Sequence, residues 1–476
     1  MNRFSKMAVQ RLATVAPRFL PFAEAASDDL PLSRLLRLSL FQVSVGMALV
    51  LLVGTLNRVM IVELGVPASL VGIMISLPLV FAPFRAMIGY KSDTHKSALG
   101  WRRVPYIWKG TLLQWGGFAI MPFALIVLSG QGSAEGAPVW LGQASAALAF
   151  LLVGAGVHTV QTVGLALATD LAPRDQQPNV VGLMYVMMLV GMIISAMVFG
   201  ILLENFYHAK LIKVIQGAAL VTLVLNVIAV WKQEPRNRAR ALAQQARDND
   251  PSFTEAWRHF ASGPNAMRLL WVIGLGTMGF GMADVLLEPY GGQVLGLSVA
   301  ATTKLTATLA GGSLVGFALA SRVLSRGADP VAMAAWGAAA GLPGFAAITF
   351  SATLQSPEIF VLGTLAAGFG AGLFGHGTLT ATMRSAPKER VGLALGAWGA
   401  VQATGAGIAI ALGGILRDVV MTLPAGDTFG AATPYFVVFS LEFLMLALAL
   451  IVVVPLLSKH IYADVRPPQA GRPPAE

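Results

Sequence analysis

The feature that most constrains this chain is a succession of apolar stretches, each long enough to cross a lipid bilayer. A spanning helix needs about 20 apolar residues, and hydrophobic residues make up 56% of this chain and charged residues 12%. Soluble proteins carry about one quarter charged residues. The sequence therefore predicts an all-α membrane protein with about twelve transmembrane helices, at 38–62, 68–90, 104–129, 139–168, 178–203, 211–231, 268–289, 301–322, 330–351, 357–381, 391–416 and 433–457.

Basic residues fall on alternate loops. Lys and Arg recur in 1–37, 91–103, 232–267 and 459–476, whereas the loops 63–67, 130–139, 290–300, 352–357 and 418–432 contain neither residue. The loop 204–213 departs from this pattern with Lys210 and Lys213. Because basic loops stay in the cytoplasm, both termini are predicted to be cytoplasmic. The net charge of +10 has the same explanation, together with attraction to anionic membrane lipids.

The chain carries an internal duplication. A shift of 214 residues places Gly154 on Gly368, and a shift of 231 residues places Asn57 on Glu288. Parallel repeats of this kind form the two pseudo-symmetric six-helix lobes of the major facilitator fold, with the cargo path between them. The predicted organisation is a basic arm (1–36), a first lobe (37–231), a cytoplasmic linker with an interfacial helix (232–266), a second lobe (267–458) and a cytoplasmic tail (459–476). The arm is interpreted as an interfacial amphipathic helix or, equally, as a flexible retention segment.

Two acids lie inside an apolar run. Asp284 and Glu288 are four residues apart, which predicts that both occupy one helical face, and an uncompensated charge in hydrocarbon costs about several kcal/mol. At 1.5 Å per residue, Asp284 lies roughly 24 Å from the start of its span, and Arg58 reaches a similar depth in the first span. We expect Arg58, beside Asn57, to pair with Glu288 or Asp284. The pair is either a gate at the outer mouth or a purely structural salt bridge.

A loop motif follows the second predicted span. Gly89, Asp93 and the pair Arg102 and Arg103 resemble the loop signature of the major facilitator superfamily, in which such residues latch the cytoplasmic side. The spacing from Asp93 to the basic pair is longer than that superfamily's usual pattern. An Asp can cap a helix, and the Arg side chains can pair with an acid such as Asp170. The alternative is ordinary positive-inside charge.

Three longer segments narrow the resemblance. They are 55–64 (TLNRVMIVEL, which includes Glu63), 100–108 (GWRRVPYIW) and 284–292 (DVLLEPYGG, which includes Tyr290). They resemble the bacteriochlorophyll-delivery (PucC/LhaA) family of the major facilitator superfamily, and the basic arm and opening segment favour the LhaA type. The resemblance implies a light-harvesting assembly factor of the bacterial inner or intracytoplasmic membrane. Its cargo would be bacteriochlorophyll, and its partners would be antenna polypeptides of the LH1 rather than the LH2 type, pigment-synthesis enzymes and membrane lipids.

Polar side chains inside the spans are the candidates for cargo binding. His158 and His376 fall in the fourth and tenth spans, and the 214-residue shift brings them within one helical turn of each other. Neutral imidazole is a good metal ligand, so either residue is a candidate for the magnesium of a chlorin. Hydrogen bonding to a neighbouring helix is the commoner role of such a histidine. Gln161 and Gln402 are weaker candidates, and Asp284, Glu288 and Tyr290 complete the predicted set.

Other function classes find little support in the sequence. The chain has no cysteine, and we find no catalytic motif, no nucleotide-binding loop and no nucleic-acid-binding module. The sequence therefore predicts a protein that is not an enzyme and uses no nucleotide. Two alternatives stay open beside pigment delivery. They are proton-coupled transport of a small or lipophilic solute through Asp284 and Glu288, and a scaffold for antenna helices that binds no pigment.

Overall fold

A computed structural model describes residues 30–80, 88, 92, 101–130, 136–173, 176–234, 265–324, 326–385, 391–423 and 430–463. Asp93, almost all of the basic arm, most of the linker and the tail lie outside these residues. The predictions made for them therefore stay predictions.

The described residues form helical segments whose bounds agree closely with the predicted spans. Eleven of them are long and apolar enough to cross a membrane, and the second is a shorter apolar helix beyond which residues 81–87 are not described. The predicted total of twelve spans thus stays a prediction. In chain order the helices are α1 Leu32–Glu63, α2 Ala68–Val80, α3 Val104–Ser129, α4 Val139–Leu171, α5 Gln177–Leu202, α6 His208–Val230, α7 Ala266–Gln293, α8 Val299–Leu324, α9 Pro330–Thr353, α10 Pro357–Ser385, α11 Val391–Thr422 and α12 Thr433–Ala463.

Helix packing within the first six helices recurs within the last six. The pairs α1–α5, α1–α6, α2–α4, α3–α4 and α3–α6 pack together, and so do α7–α11, α7–α12, α8–α10, α9–α10 and α9–α12. The two groups meet through α1–α7, α2–α11 and α5–α8. This is the arrangement expected of two parallel repeats that face each other across a central axis.

Helix α7 is interrupted. It consists of an α-helix Ala266–Gly281, a 3₁₀ turn Ala283–Val285 and a short helix Leu287–Gln293. Pro289 explains why the helix cannot run straight through, because proline has no N–H to donate to the carbonyl of Val285 and its ring would collide with that carbonyl. Helix α1 has no such interruption at this depth, although its backbone is π-helical over Val50–Leu56 and Val59–Glu63.

Glycines bring α8 and α10 into backbone contact. A Cβ added at Gly312, Gly316, Gly368 or Gly372 would lie 2.2 Å from a backbone oxygen of the opposite helix. Small residues at a helix interface allow such close approach in membrane proteins. The contact fixes the rotation of α10, and with it the choice of side chains that face the centre of the molecule.

We use two names for the ends of the bundle. The basic end carries Arg102, Arg103 and Lys232, and the far end carries Glu63, Gln293 and Asp418. Hydrogen bonds between described residues join the two halves in the part of the bundle nearer the far end, and they include Thr55–Thr303, Asn57–Val285, Arg58–Leu297 and Ser69–Asp418.

Candidate functional site: a cavity between the two halves

A cavity of about 410 Å³ lies between the two halves. Helices α1, α2, α4 and α5 line it on one side and α7 to α11 line it on the other. The volume falls within the range of small-molecule sites, which are about 300–1,000 Å³. Most of the lining side chains are apolar, including Leu49, Met188, Phe280, Phe317 and Phe345. The cavity therefore suits an apolar ligand that is oriented by a few polar contacts.

Four of the seven predicted cargo-binding residues line this cavity. They are His158 and Gln161 on α4, Asp284 on the interrupted part of α7 and Gln402 on α11. The Gln161 side-chain amide donates to the sulfur of Met188 at 3.4 Å, which orients it along the cavity wall. The sequence located these residues in three spans, and the packing of the halves brings them together.

The other three predicted cargo residues are not among those that line the cavity. Tyr290 is fully buried. Its hydroxyl donates to the carbonyl of Ile348 at 3.1 Å and lies 2.9 Å from the Ser351 hydroxyl. Its ring packs against Phe360 and Phe439. Tyr290 therefore joins α7, α9, α10 and α12, and its cargo role stays a prediction.

The two histidines differ in their surroundings, since His158 lines the cavity and His376 does not. His376 is 8% exposed and packs on the ring of Phe317 at 4.3 Å between ring centres. Gly372, the counterpart of His158 under the 214-residue shift, does line the cavity, as does Gly375. His376 lies one helical turn beyond Gly372, yet it is not among the residues that line the cavity. Equivalent roles for the two histidines therefore stay a prediction.

Asp284 and Glu288 do not share one helical face, because the break in α7 separates them. Asp284 belongs to the 3₁₀ turn and lines the cavity. Glu288 points between α1 and α8, where its carboxylate accepts a hydrogen bond from the Thr306 hydroxyl. Gly54 on α1 leaves room for it, since a Cβ there would lie 2.5 Å from the Glu288 Oε1 atom. The expectation of a continuous helix failed at Pro289, which was visible in the sequence.

Arg58 does not pair with either predicted acid. Its guanidinium forms a salt bridge with Glu63 on the same helix and donates to the carbonyl of Leu297 at 3.1 Å. It also lies against Gly292, where an added Cβ would approach its Nη2 atom to 3.0 Å. Glu63 reaches Arg58 because a π-helical backbone places residues five apart on one face. The predicted pair with Glu288 or Asp284 is therefore replaced by a link from α1 to the α7–α8 loop.

Glu442 on α12 is a polar group that the sequence analysis missed. Its carboxylate is completely buried and accepts a hydrogen bond from the backbone N–H of Ala283, the first residue of the 3₁₀ turn. The signal was present, because an acid inside a predicted span is a candidate by default. Glu442 and Asn57 thus support the two ends of the break, since the Asn57 amide donates to the carbonyl of Val285 at 2.7 Å.

At the basic end, Arg102 and Arg103 both form salt bridges with Asp170, at 2.5 and 3.0 Å. This is the pairing predicted from the sequence, although its role as a latch stays a prediction. Glu234, which the sequence analysis did not single out, accepts hydrogen bonds from the backbone N–H groups of Arg102, Arg103 and Val104. An acid in this position stabilises the start of α3.

Comparison with known proteins identifies the family. The sequence profile of the family described as PUCC protein matches residues 55–461. This chain belongs to that family. It is 80% identical over 420 residues to Protein PucC of Rhodovulum sulfidophilum, with 88% of this chain and 92% of that protein covered. It is 66% identical over 454 residues to Protein PucC of Cereibacter sphaeroides, with 95% and 98% covered.

Other relatives and the solved structures add two points. A protein named bacteriochlorophyll synthase 44.5 kDa chain from Rhodobacter capsulatus is 28% identical over 83% of this chain and 90% of its own length. The preference for the LhaA type stays a prediction. A mutant of the nucleoside transporter NupG matches with TM-score 0.62 and 15% identity over 88% of this chain and 99% of its own. A bacterial homologue of Spinster matches with TM-score 0.62 and 14% identity over 92% and 98%. These likenesses show the fold alone, that of a multi-pass transporter-like membrane protein.

Proposed function

We propose that this protein binds bacteriochlorophyll in the cavity between its halves and delivers it to antenna polypeptides of the photosynthetic membrane, with LH1-type polypeptides as the predicted recipients. The observation that carries the proposal is an apolar cavity with a single histidine at its wall, in a member of the PucC family. A chlorin is flat and apolar, and its magnesium takes an axial ligand. An apolar site that covers such a molecule separates it from other pigment molecules before it is transferred.

Within this proposal His158 is the magnesium ligand. Its imidazole lies on α4 at the cavity wall, and imidazole nitrogen is the commonest metal ligand in proteins. Gln161, Gln402 and Asp284 are among the polar groups at the same wall, and they orient the pigment through its carbonyl and ester substituents. Asp284 acts there as a hydrogen-bond donor when it carries a proton.

The first test compares two histidines. Wild-type protein purified from a phototrophic host in mild detergent is expected to carry chlorin with an absorption band shifted from that of free pigment. His158→Leu is expected to lower the pigment-to-protein ratio several-fold. His376→Leu is the matched control and is expected to retain pigment, because His376 packs on Phe317 and is not among the cavity-lining residues.

The second test fills the cavity without disturbing the packing of the helices. Gly399 lines the cavity, and a Cβ added there meets no atom within 4 Å. Gly399→Leu is therefore expected to displace pigment from a folded protein. Gly311 on α8 is equally open but does not line the cavity, so Gly311→Leu is the control.

The outcomes separate the alternatives. Pigment that survives both His158→Leu and Gly399→Leu would place its site elsewhere. A colourless wild-type protein that pulls down antenna peptides would indicate the scaffold, and LH1 or LH2 peptides in the eluate would identify the recipient. A colourless protein without peptides would favour proton-coupled transport of a solute.

A further inference from the structure

Glu442 is a buried acid for which pigment binding gives no role. It lies in the apolar helix α12 with none of its surface exposed. One carboxyl oxygen accepts the Ala283 N–H, and the other, Oε2, is buried without a hydrogen-bond partner. An ionised carboxylate in hydrocarbon normally has its oxygens paired or its charge compensated. The observed contacts leave one oxygen of this group without a hydrogen-bond partner.

The charged groups around Glu442 do not compensate for it. Helix α12 packs against α7, α9 and α11. Helix α9 contains no ionisable residue. The charged residues of α11, Arg417 and Asp418, bind each other nearer the far end, and Arg417 also binds Gln293. From α7, the charge that acts on Glu442 is the like charge of Asp284, which follows Ala283 directly. Two neighbouring carboxylates in a dry site cannot both ionise without a large cost.

We propose that Glu442 and Asp284 form a proton-binding pair, with Glu442 behind the wall of the cavity and Asp284 at its surface. The proton binds to the Glu442 oxygen that has no partner, and Asp284 is its route to and from the cavity. Since Glu442 holds the first N–H of the α7 break, a proton on this carboxyl weakens its acceptance of that hydrogen bond. Proton binding therefore loosens the turn that carries Asp284.

The proton-binding pair is present in the protein without pigment, so it does not depend on the cargo. The protein would bind this proton whichever molecule occupies the cavity. Glu288 is separate from the pair, because its carboxylate points to Thr306 and Gly54 on the other side of the break.

Infrared spectroscopy of the pigment-free, full-length protein in lipid nanodiscs tests the proposal. A protonated carboxyl absorbs as a carbonyl band that shifts in D₂O, whereas a carboxylate does not contribute to that band. At neutral pH the wild-type protein is expected to show this band, and Glu442→Gln is expected to remove the part of it that belongs to Glu442 while keeping an acceptor for the Ala283 N–H. Glu358→Gln is the matched control, because Glu358 is exposed at the start of α10, and it is expected to leave the band unchanged.

A second variant tests the pairing itself. Asp284→Asn removes the neighbouring charge and is expected to change the frequency of the Glu442 band. Glu288→Gln assigns any band that belongs to Glu288. A band of the same intensity in Glu442→Gln as in the wild type, with unchanged helical content, would overturn the proton site. If the frequency of the Glu442 band is the same in Asp284→Asn as in the wild type, the two residues do not form a pair. Neither result bears on pigment binding, which is measured by absorption in the histidine variants.

Discussion

The first helices of the two halves, α1 and α7, lie at equivalent positions but differ in their polar groups. Helix α1 supplies side-chain donors, and helix α7 leaves backbone groups without helical partners. Helix α1 stays helical to Glu63 and offers donors, whereas α7 breaks at Gly281 and exposes backbone groups. The Asn57 amide of α1 donates to the carbonyl of Val285 that Pro289 leaves without its helical partner. The halves have therefore diverged into complementary surfaces, and each one satisfies groups that the other leaves open.

The comparison also explains where polar residues of the spans are found. In a membrane every backbone group needs a partner within the protein, so an interrupted helix requires polar side chains from its neighbours. The Glu442 carboxylate accepts a hydrogen bond from the N–H of Ala283, and the Asn57 amide donates one to the carbonyl of Val285. Both side chains therefore contact the backbone of α7.

The most severe test of this complementarity is Asn57→Leu. The substitution leaves the carbonyl of Val285 unpaired in an apolar surrounding, which is expected to cost about 1–3 kcal/mol of stability. The thermal unfolding midpoint in detergent should fall clearly. Thr308→Val, which replaces a hydroxyl bonded only to its own helix backbone, is the control and should change little. An unchanged midpoint in Asn57→Leu would mean that α1 does not support the break.

A smaller effect is expected at Arg58. Arg58→Ala removes the salt bridge to Glu63 and the hydrogen bond to the Leu297 carbonyl. The Glu63 side chain is 33% exposed, so solvent weakens the ion pair, and we expect a loss of about 1–2 kcal/mol. Glu63→Gln keeps the link to Leu297 and should cost less than Arg58→Ala. Equal losses in thermal unfolding would show that the ion pair, rather than the link between the halves, is what stabilises this end.

The predicted role of Arg58 as a gate is tested separately from its effect on stability. If the residue gates the cargo path, Arg58→Ala should reduce the amount of assembled light-harvesting complex in cells by more than its loss of stability explains. Normal assembly would leave it as a structural link alone.

The mildest change is at the hydroxyl pair that joins α1 to α8. Thr55 and Thr303 lie 3.3 Å apart and are both fully buried. Thr55→Val, Thr303→Val and the double variant form a cycle that isolates their interaction, which we expect to be about 0.6 kcal/mol, as for other hydrogen bonds between membrane helices. A coupling free energy near zero would mean that the Thr55–Thr303 contact does not stabilise the protein. The polar contacts between the halves would then matter only at the break in α7.

Much of the fold was predictable because hydropathy reports span length directly. The predicted start of 139–168 coincides with that of Val139–Leu171, and the start of 330–351 with that of Pro330–Thr353. The candidate site was predictable only in part. His158 and Asp284 reach the cavity, but Tyr290 and His376 do not line it. Their positions depend on the rotation of each helix, which side-chain packing sets and which an almost uniformly apolar helix does not encode.

The sequence by itself determined that the chain is a membrane protein with two related halves, because composition and repetition are properties of the chain. It also predicted the pairing of Arg102 and Arg103 with Asp170, since charges at helix ends have few partners to choose from. Only the tertiary structure decided the partner of Arg58, the separation of Asp284 from Glu288 and the role of Glu442. Inside a bundle each polar group takes the nearest unsatisfied backbone or side-chain group, and that group belongs to a helix whose distance and rotation only the assembled halves fix.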